Sequence, residues 1–371
     1  MASSNHPSDS LATPPSNVLE FQQPQHRTRS SDEGYITLAH GSGGRATHNL
    51  ITDIFLETFR SDALNALDDS ARLDLALFMA RGDRLAFTTD SFVVDPLFFP
   101  GGDIGSLAIN GTVNDLAVTG AQPLYLSCGF IIEEGTPIAL LRRIAQSMKL
   151  AADTARVKVV AGDTKVVPRG KGDQIYINTA GVGVARSTQV PGPRYLQPGD
   201  AILLSGPMGD HGTAILLARG DLALEADITS DCQPLHDLAA ALCEACPTVR
   251  AMRDATRGGV AAVLNEFAQT SRVSMVLEEA ALPVRPPVAA ACEVLGLDPL
   301  HMANEGLLVA VVPGEFAARA LTAMQMLPEG REACLVGHVT KADSPVVILR
   351  TRFGSERIIE WPMGDPLPRI C

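Results

Sequence analysis

The stretch Val157–Val167, VKVVAGDTKVV, decides how the fold is read. Its first five residues, Val157–Ala161, are β-branched and apolar apart from one lysine, the pattern of a buried strand. Gly162, Asp163, Thr164 and Lys165 follow at once. The same arrangement occurs upstream, where the apolar run Leu85–Thr89 leads into Asp90 and Ser91. A third strand is expected over Ile175–Val184. Helical patterns stand between and before them, at Thr47–Phe59, Gly111–Thr119 and Pro137–Thr154, the last opened by a proline. Strands alternating with helices predict an α/β fold. Both acidic clusters then fall beyond strand ends, where ligands bind in α/β sheets.

Working outward, Arg186–Gly199 holds Pro191, Gly192, Pro193, Pro198 and Gly199 and reads as a connection between two units. A second unit follows, with strands at Ala201–Ser205 and Leu307–Val312 and helices at Gln233–Cys246, Gly259–Thr270 and Pro287–Leu295. Residues 1–34 are rich in Ser, Pro, Gln and Asn and bury too little apolar surface to offset their ordering entropy, so they are expected to be disordered. The divisions are therefore 1–34, 35–185, 186–349 and a tail, 350–371. Pro362, Pro366 and Pro368 keep the end of that tail out of helices and central strands. It is expected to be extended and mobile, with a reach on the order of 70 Å.

The chain has 371 residues, 46% of them apolar and 19% charged, which is an ordinary globular composition. Thirty basic against 42 acidic residues give a net charge of -12, which argues against nucleic-acid or anionic-membrane partners but suits acidic cation sites. The uncharged stretch Ala117–Ile132 is short for a bilayer span and interrupted by Gly120, Pro123 and Gly129. No basic-then-apolar leader opens the chain. Seven cysteines, sparse and odd in number, point to reduced thiols in the cytoplasm.

Several motifs carry chemistry. Asp90, Asp115 and Asp163 are hard-oxygen candidates for Mg²⁺ held together with substrate phosphates. Asn114 and Asp115 are expected early in their helix. His40–Arg45 (HGSGGR) places Gly43 and Gly44 before a helix, where backbone amides can meet an anion. GPMGDHG (Gly206–Gly212) and RDATRGG (Arg253–Gly259) offer similar turns, with His211 as a possible phosphate donor. Lys165 can neutralise developing charge or relay a proton. Glu305 is a catalytic carboxylate or a turn acid. Cys243 and Cys246 have no matching zinc ligands at suitable spacing and read as core thiols. Cys371 is the last residue, where a core cysteine would not be presented; a terminal thiol can enter another protein's site or fold back into its own. Its α-carboxylate disfavours the thiolate and nearby Arg369 favours it.

These residues carry a resemblance. GSGG, TTDS (Thr88–Ser91), NDLAVTGA (Asn114–Ala121), GDTKVV, GDHG, RDATRGGV, ANEG (Ala303–Gly306) and the terminal PRIC (Pro368–Cys371) resemble the HypE family of hydrogenase-maturation proteins, within the PurM-like (aminoimidazole-ribotide synthetase) superfamily. The likeness runs from about residue 35 to the end. It implies a two-domain α/β fold: an N-terminal ATP-binding domain that forms a dimeric β-barrel, and a C-terminal α/β domain. It implies that Cys371 receives a carbamoyl group from the carbamoyltransferase HypF. ATP then drives dehydration to a thiocyanate, and the cyanide passes to iron on the HypC–HypD complex for [NiFe] hydrogenase. By resemblance, Gly43, Gly44, Asp90, Asn114, Asp115, Asp163, Thr164, His211 and Gly258 are nucleotide-site candidates. Asp90, Asp115 and Asp163 would hold Mg²⁺, and Lys165 and Glu305 would handle protons beside Cys371. Two rival readings are a selenophosphate-synthetase-like or thiamine-phosphate-kinase-like enzyme and a non-enzymatic carrier. The terminal PRIC argues against the first, the acidic clusters with Lys165 against the second.

Overall fold

The computed structural model describes residues 1, 34–186, 191–220, 226–341, 344–362 and 369–371. The expected disorder of residues 1–34 falls almost wholly outside the described residues.

The N-terminal domain opens with α1 (Arg45–Leu50), a π-helical stretch (Ile51–Leu56) and α2 (Glu57–Phe59), one continuous run over the predicted helix. Short helices α3 (Asp62–Asn65) and α4 (Leu75–Met79) lead to β1 (Arg84–Phe92). A two-residue-per-strand hairpin, β2 (Phe98–Phe99) with β3 (Gly102–Asp103), precedes α5 (Ile104–Val118). Then come β4 (Gln122–Glu133), α6 (Ile138–Thr154), β5 (Lys158–Val167) and β6 (Ile175–Ala185). The sheet order is β1-β6-β4-β5, parallel only between β4 and β5.

Asp103 starts α5: its Oδ1 accepts from Gly105 N at 2.7 Å and Ser106 N at 3.0 Å, while Ser106 Oγ accepts from Asp103 N. The helix is buried on nearly every side because the sheet, α6 and the second domain all surround it. Helix α6 instead buries one stripe, Leu141, Ile144, Ala145 and Met148, against it.

The C-terminal domain builds a seven-stranded sheet from β7 (Ala201–Leu204), β8 (Ala251–Asp254), β9 (Ser274–Glu278), β10 (Leu308–Val312), β11 (Cys334–Thr340), β12 (Val347–Arg350) and β13 (Glu356–Ile359). Its order is β13-β12-β9-β11-β7-β10-β8. Helices are α7 (Asp210–Arg219), α8 (His236–Ala245), α9 (Gly259–Ser271), α10 (Pro286–Leu295) and α11 (Ala317–Gln325). Core from α9 covers one face, through Phe267 and Leu264; α8 and α11 cover the other, through Leu242 and Met324. Every residue of β10 is buried in consequence.

Three expectations are corrected. Helix α5 begins at Ile104, so Asn114 and Asp115 lie near its C-terminal end, not at its start. Asp90, Asp163 and Lys165 lie inside strands rather than past their ends: in a mixed sheet with one open face, polar residues alternate within the strand. The tail does not begin at Arg350, because β13 pairs antiparallel with β12 and extends the sheet to Ile359.

Candidate active site

The chain end is seated between the domains, not free. Val93 N donates to the terminal carboxyl oxygen of Cys371 at 3.1 Å, and Asp95 N to Arg369 O at 3.2 Å, so the last residues lie against the segment that follows β1. Ile370 is 2% exposed and Cys371 7%. The expected mobility is thus corrected for Arg369–Cys371, while residues 363–368 lie outside the described residues. The role given to Arg369 is corrected as well. Its guanidinium turns to Asp95, at 3.3 Å, and Asp173, and Arg257 takes the place at the sulfur, with Nη1 3.2 Å from Sγ. Burial, with Glu305 next, holds the thiol above its ordinary range despite Arg257. Burial thus favours the protonated form of the seated sulfur.

Carboxylates from both domains face this seat. Asp90 comes from β1, Asp115 from α5, Asp254 from the end of β8, and Glu305 from the turn before β10. Thr88 Oγ1 donates to Asp115 at 2.7 Å. Burial, then Asp115, pushes Asp254 up to about 7; burial also raises Asp115, and Asp90 adds to it. Glu305 is 2% exposed, and its Oε1 has no hydrogen-bond partner. Burial raises it well above a normal carboxyl, with Asp231, Asp254 and Asp90 adding to the effect. A cluster of acids that hold one another's protons fits a hard cation. Among the described residues no three His, Cys, Asp or Glu side chains could hold a metal ion alone, so a Mg²⁺ here would complete its shell with phosphate and water.

A second cluster forms elsewhere. Gly43, Asp163, Thr164 and Lys165 line a largely apolar cavity of ≈ 230 Å³ with Phe55 and Phe130. Lys165 Nζ lies 2.7 Å from Asp163 Oδ1 and draws that acid below its usual range. In register, Asp163 pairs with Gly129, Gly129 with Asn178 and Asn178 with Ser91. Three interstrand steps put Asp163 about 14 Å from β1. The three-aspartate site expected from sequence is corrected: Asp90 and Asp115 come together, with Asp254, and Asp163 stands apart. Lys165 likewise does not sit beside Glu305 in one chain.

Two nucleotide candidates have other duties. Asn114 is a buried staple between domains: Nδ2 donates to Gln233 O at 3.0 Å and Oδ1 accepts from Leu235 N at 2.7 Å. His211 is fully buried with both nitrogens occupied, so it meets no phosphate. Gly258 and Gly259, at φ 78° and 62°, turn the chain into α9; a Cβ on Gly259 would stand 2.5 Å from Leu300 O and Met302 O. Sequence reasoning missed Arg257 and Asp231. Arg257 was legible in RDATRGG as a cation in a Gly-rich turn. Asp231 carried no local signal. Its carboxylate accepts from Glu305 N at 3.0 Å and Gly306 N at 3.1 Å, fixing the Glu305 turn from outside it.

Burial pushes Asp231 up to about 7 from 3.8. Between those values the folded state binds more protons than the unfolded chain. Its contribution to stability therefore falls as pH rises through that window and is level above it. For Asp231→Asn, stability relative to wild type should improve by about 2–3 kcal/mol from pH 5 to pH 8. Denaturant titrations at the two pH values check this; an unchanged difference would contradict a buried carboxyl.

Such a chain, with two α/β domains enclosing an acid-lined seat, matches the AIR synthase related proteins. The N-terminal domain of that family covers residues 67–185, and its C-terminal domain residues 197–350. Carbamoyl dehydratase HypE of Rhodobacter capsulatus is 52% identical over 336 residues, covering 91% of this chain and 98% of the relative. A crystal structure of hydrogenase maturation protein HypE in complex with ATP matches at TM-score 0.85 and 46% identity, over 90% of this chain and 99% of that one. A HypE–HypF complex matches at 0.73 and 44%, over 84% and 99%. The fold and site define an enzyme of the AIR-synthase-related class. The chain belongs to the HypE family of carbamoyl dehydratases. No helix among the described residues is long and apolar enough to cross a membrane.

Proposed function

We propose that this chain carries a carbamoyl group as a thiocarboxamide on Cys371 and uses ATP to dehydrate it to a thiocyanate. The observation that carries the reading is the seat: the terminal sulfur lies 3.2 Å from Arg257, with Glu305 and Asp90 as its other charged neighbours. An amide oxygen leaves poorly as hydroxide. Transfer of the ATP γ-phosphoryl group to that oxygen makes phosphate the leaving group. The nitrogen gives up two protons in all, and the C–O bond breaks to leave S–C≡N, ADP and phosphate. Glu305, buried and with one oxygen unpartnered, is placed to take a proton. Arg257 steadies negative charge on the oxygen being phosphorylated. One or two of Asp90, Asp115 and Asp254, with phosphate and water completing the shell, would hold Mg²⁺, which would neutralise charge on the phosphates.

The open face of the N-terminal sheet supports a homodimer. Leu85 and Phe87 are 65% and 71% exposed there. Asp163, Lys165 and Ile131 follow on the same face by strand alternation and register. Two such faces would close the barrel. The Lys165–Asp163 pair of one copy, with the Gly43 cavity for the base and phosphates of ATP, would then serve the seated tail of the other. Thiol burial implies a division of labour: the sulfur accepts its carbamoyl group from HypF with the tail out, reacts with the tail in, and passes cyanide to HypC–HypD. All seven cysteines are free, which suits the cytoplasm.

Mass spectrometry of the C-terminal peptide tests this after incubation with HypF, carbamoyl phosphate and ATP. The expected result is carbamoylation followed by loss of one water, with neither seen in Cys371→Ala. A carbamoyl adduct that persists with ATP present would favour the passive carrier.

A further inference from the structure

His211 and Ser230 carry a role beyond the reaction chemistry. Nε2 of His211 stands 2.7 Å from the backbone oxygen of Ile370, and Nδ1 stands 2.8 Å from Ser230 Oγ. A carbonyl only accepts, so the ring proton is on Nε2. Nδ1 is then an acceptor, and the Ser230 hydroxyl must donate to it. That hydroxyl is free to do so because its oxygen already accepts from Cys232 N at 3.0 Å. Ser230 is itself pinned: its N–H donates to Pro100 O at 2.8 Å, and a Cβ on Gly101 would come within 2.7 Å of its backbone. The edge of Phe99, 5.4 Å between centroids, holds the imidazole plane. Residues of both domains thus fix one tautomer and aim one N–H at one tail atom.

We infer that His211, oriented by Ser230, is a positioning residue that latches the carrier tail by its penultimate carbonyl. The inference rests on the reading that Cys371 reacts while seated. The other tail contacts are less specific. Val93 N and Asp95 N pair with main chain that any sequence supplies, and Arg219 Nη2 donates to the Arg369 oxygen at 2.8 Å from a part-exposed position, two residues away from the sulfur. Arg369 makes ion pairs at a part-exposed site, which contribute little. Holding the carbonyl next to Cys371 sets the direction of its Cα–Cβ bond and so keeps Sγ on Arg257. Because burial depresses the imidazole to about 4, the latch stays neutral at physiological pH. It opens by breaking a hydrogen bond, not by titrating.

The test uses the full chain without ATP or a carbamoyl donor. Iodoacetamide alkylation of Cys371 is followed on the C-terminal peptide, which separates it from the six other thiols. Ser230→Ala removes the hydroxyl that orients the imidazole through Nδ1 and should speed alkylation about tenfold, the effect of losing one buried hydrogen bond. His211→Leu should do at least as much, whereas His211→Gln keeps an N–H near the Nε2 position and should stay closer to wild type. Nitrogen-15 NMR of histidine-labelled wild type should show His211 protonated on Nε2, and Ser230→Ala should lose that signature. Unchanged alkylation in Ser230→Ala and His211→Leu would overturn the latch. So would an Nδ1-protonated His211 in wild type, a result that needs no variant to fold. Neither readout depends on dehydration. A C-terminal peptide that never loses water would overturn the enzymatic reading and leave the latch standing.

Discussion

Glu305→Gln should stop dehydration while leaving Cys371 carbamoylation intact, lowering the single-turnover rate by about 10²–10⁴, the range for losing a general base. The swap is nearly isosteric and removes an acid that is buried and crowded by Asp231, Asp254 and Asp90. Stability should therefore not fall and should rise at pH 8, which separates lost chemistry from lost folding. The pH profile gives the sign. A base must be deprotonated to act, and Glu305 keeps its proton to higher pH than an ordinary carboxyl. The wild-type rate should climb with pH through that raised value, and the rising limb should vanish in the variant. A carbamoyl adduct that still loses water at the wild-type rate in Glu305→Gln would remove Glu305 from the mechanism.

Loss of the proposed dimer should be as damaging. Phe87→Asp places a charge on the bare face of the N-terminal sheet, where the side chain is 71% exposed in the single chain. Sedimentation should show monomers, and dehydration should fall by about 10² or more, because Lys165 would no longer reach a tail. A subunit mixture makes the argument sharper. Lys165→Ala keeps its sulfur and Cys371→Ser keeps its lysine, and each alone should be inactive. Mixed and re-equilibrated, they should regain activity, since the cysteine of one copy meets the lysine of the other. No recovery from a proven heterodimer would place Lys165 in its own chain's site, against the roughly 14 Å that the strand spacing puts between β5 and β1.

Much of the fold was legible because hydrophobic period was strong. Helix α6 was read within a residue at each end, and the strands at Leu85, Val157 and Ile175 were all found. Helix α5 was cut short for a physical reason: buried on nearly every side, it has no polar face to reveal a helical period before Gly111. The site was half legible. Cys371, Glu305, Asp90 and Asp115 come together, but the strand-end rule misplaced Asp163 and Lys165, which alternate along a strand's open face. Asp231, like the pairing of His211 with Ile370, depends on contacts far apart in sequence. No local pattern announces that a histidine in GDHG will hold the last peptide of the chain.

The central claim is that the terminal sulfur holds an amide which ATP turns into a nitrile. Infrared and carbon-13 NMR spectroscopy of the full chain, charged with carbon-13-labelled carbamoyl phosphate through HypF, observes that carbon directly. The account predicts an amide signal on the protein that converts to a nitrile only when hydrolysable ATP is added, and no labelled protein at all for Cys371→Ser. A nitrile on the Cys371→Ser protein, or an amide on wild type that ATP leaves unchanged, would contradict it.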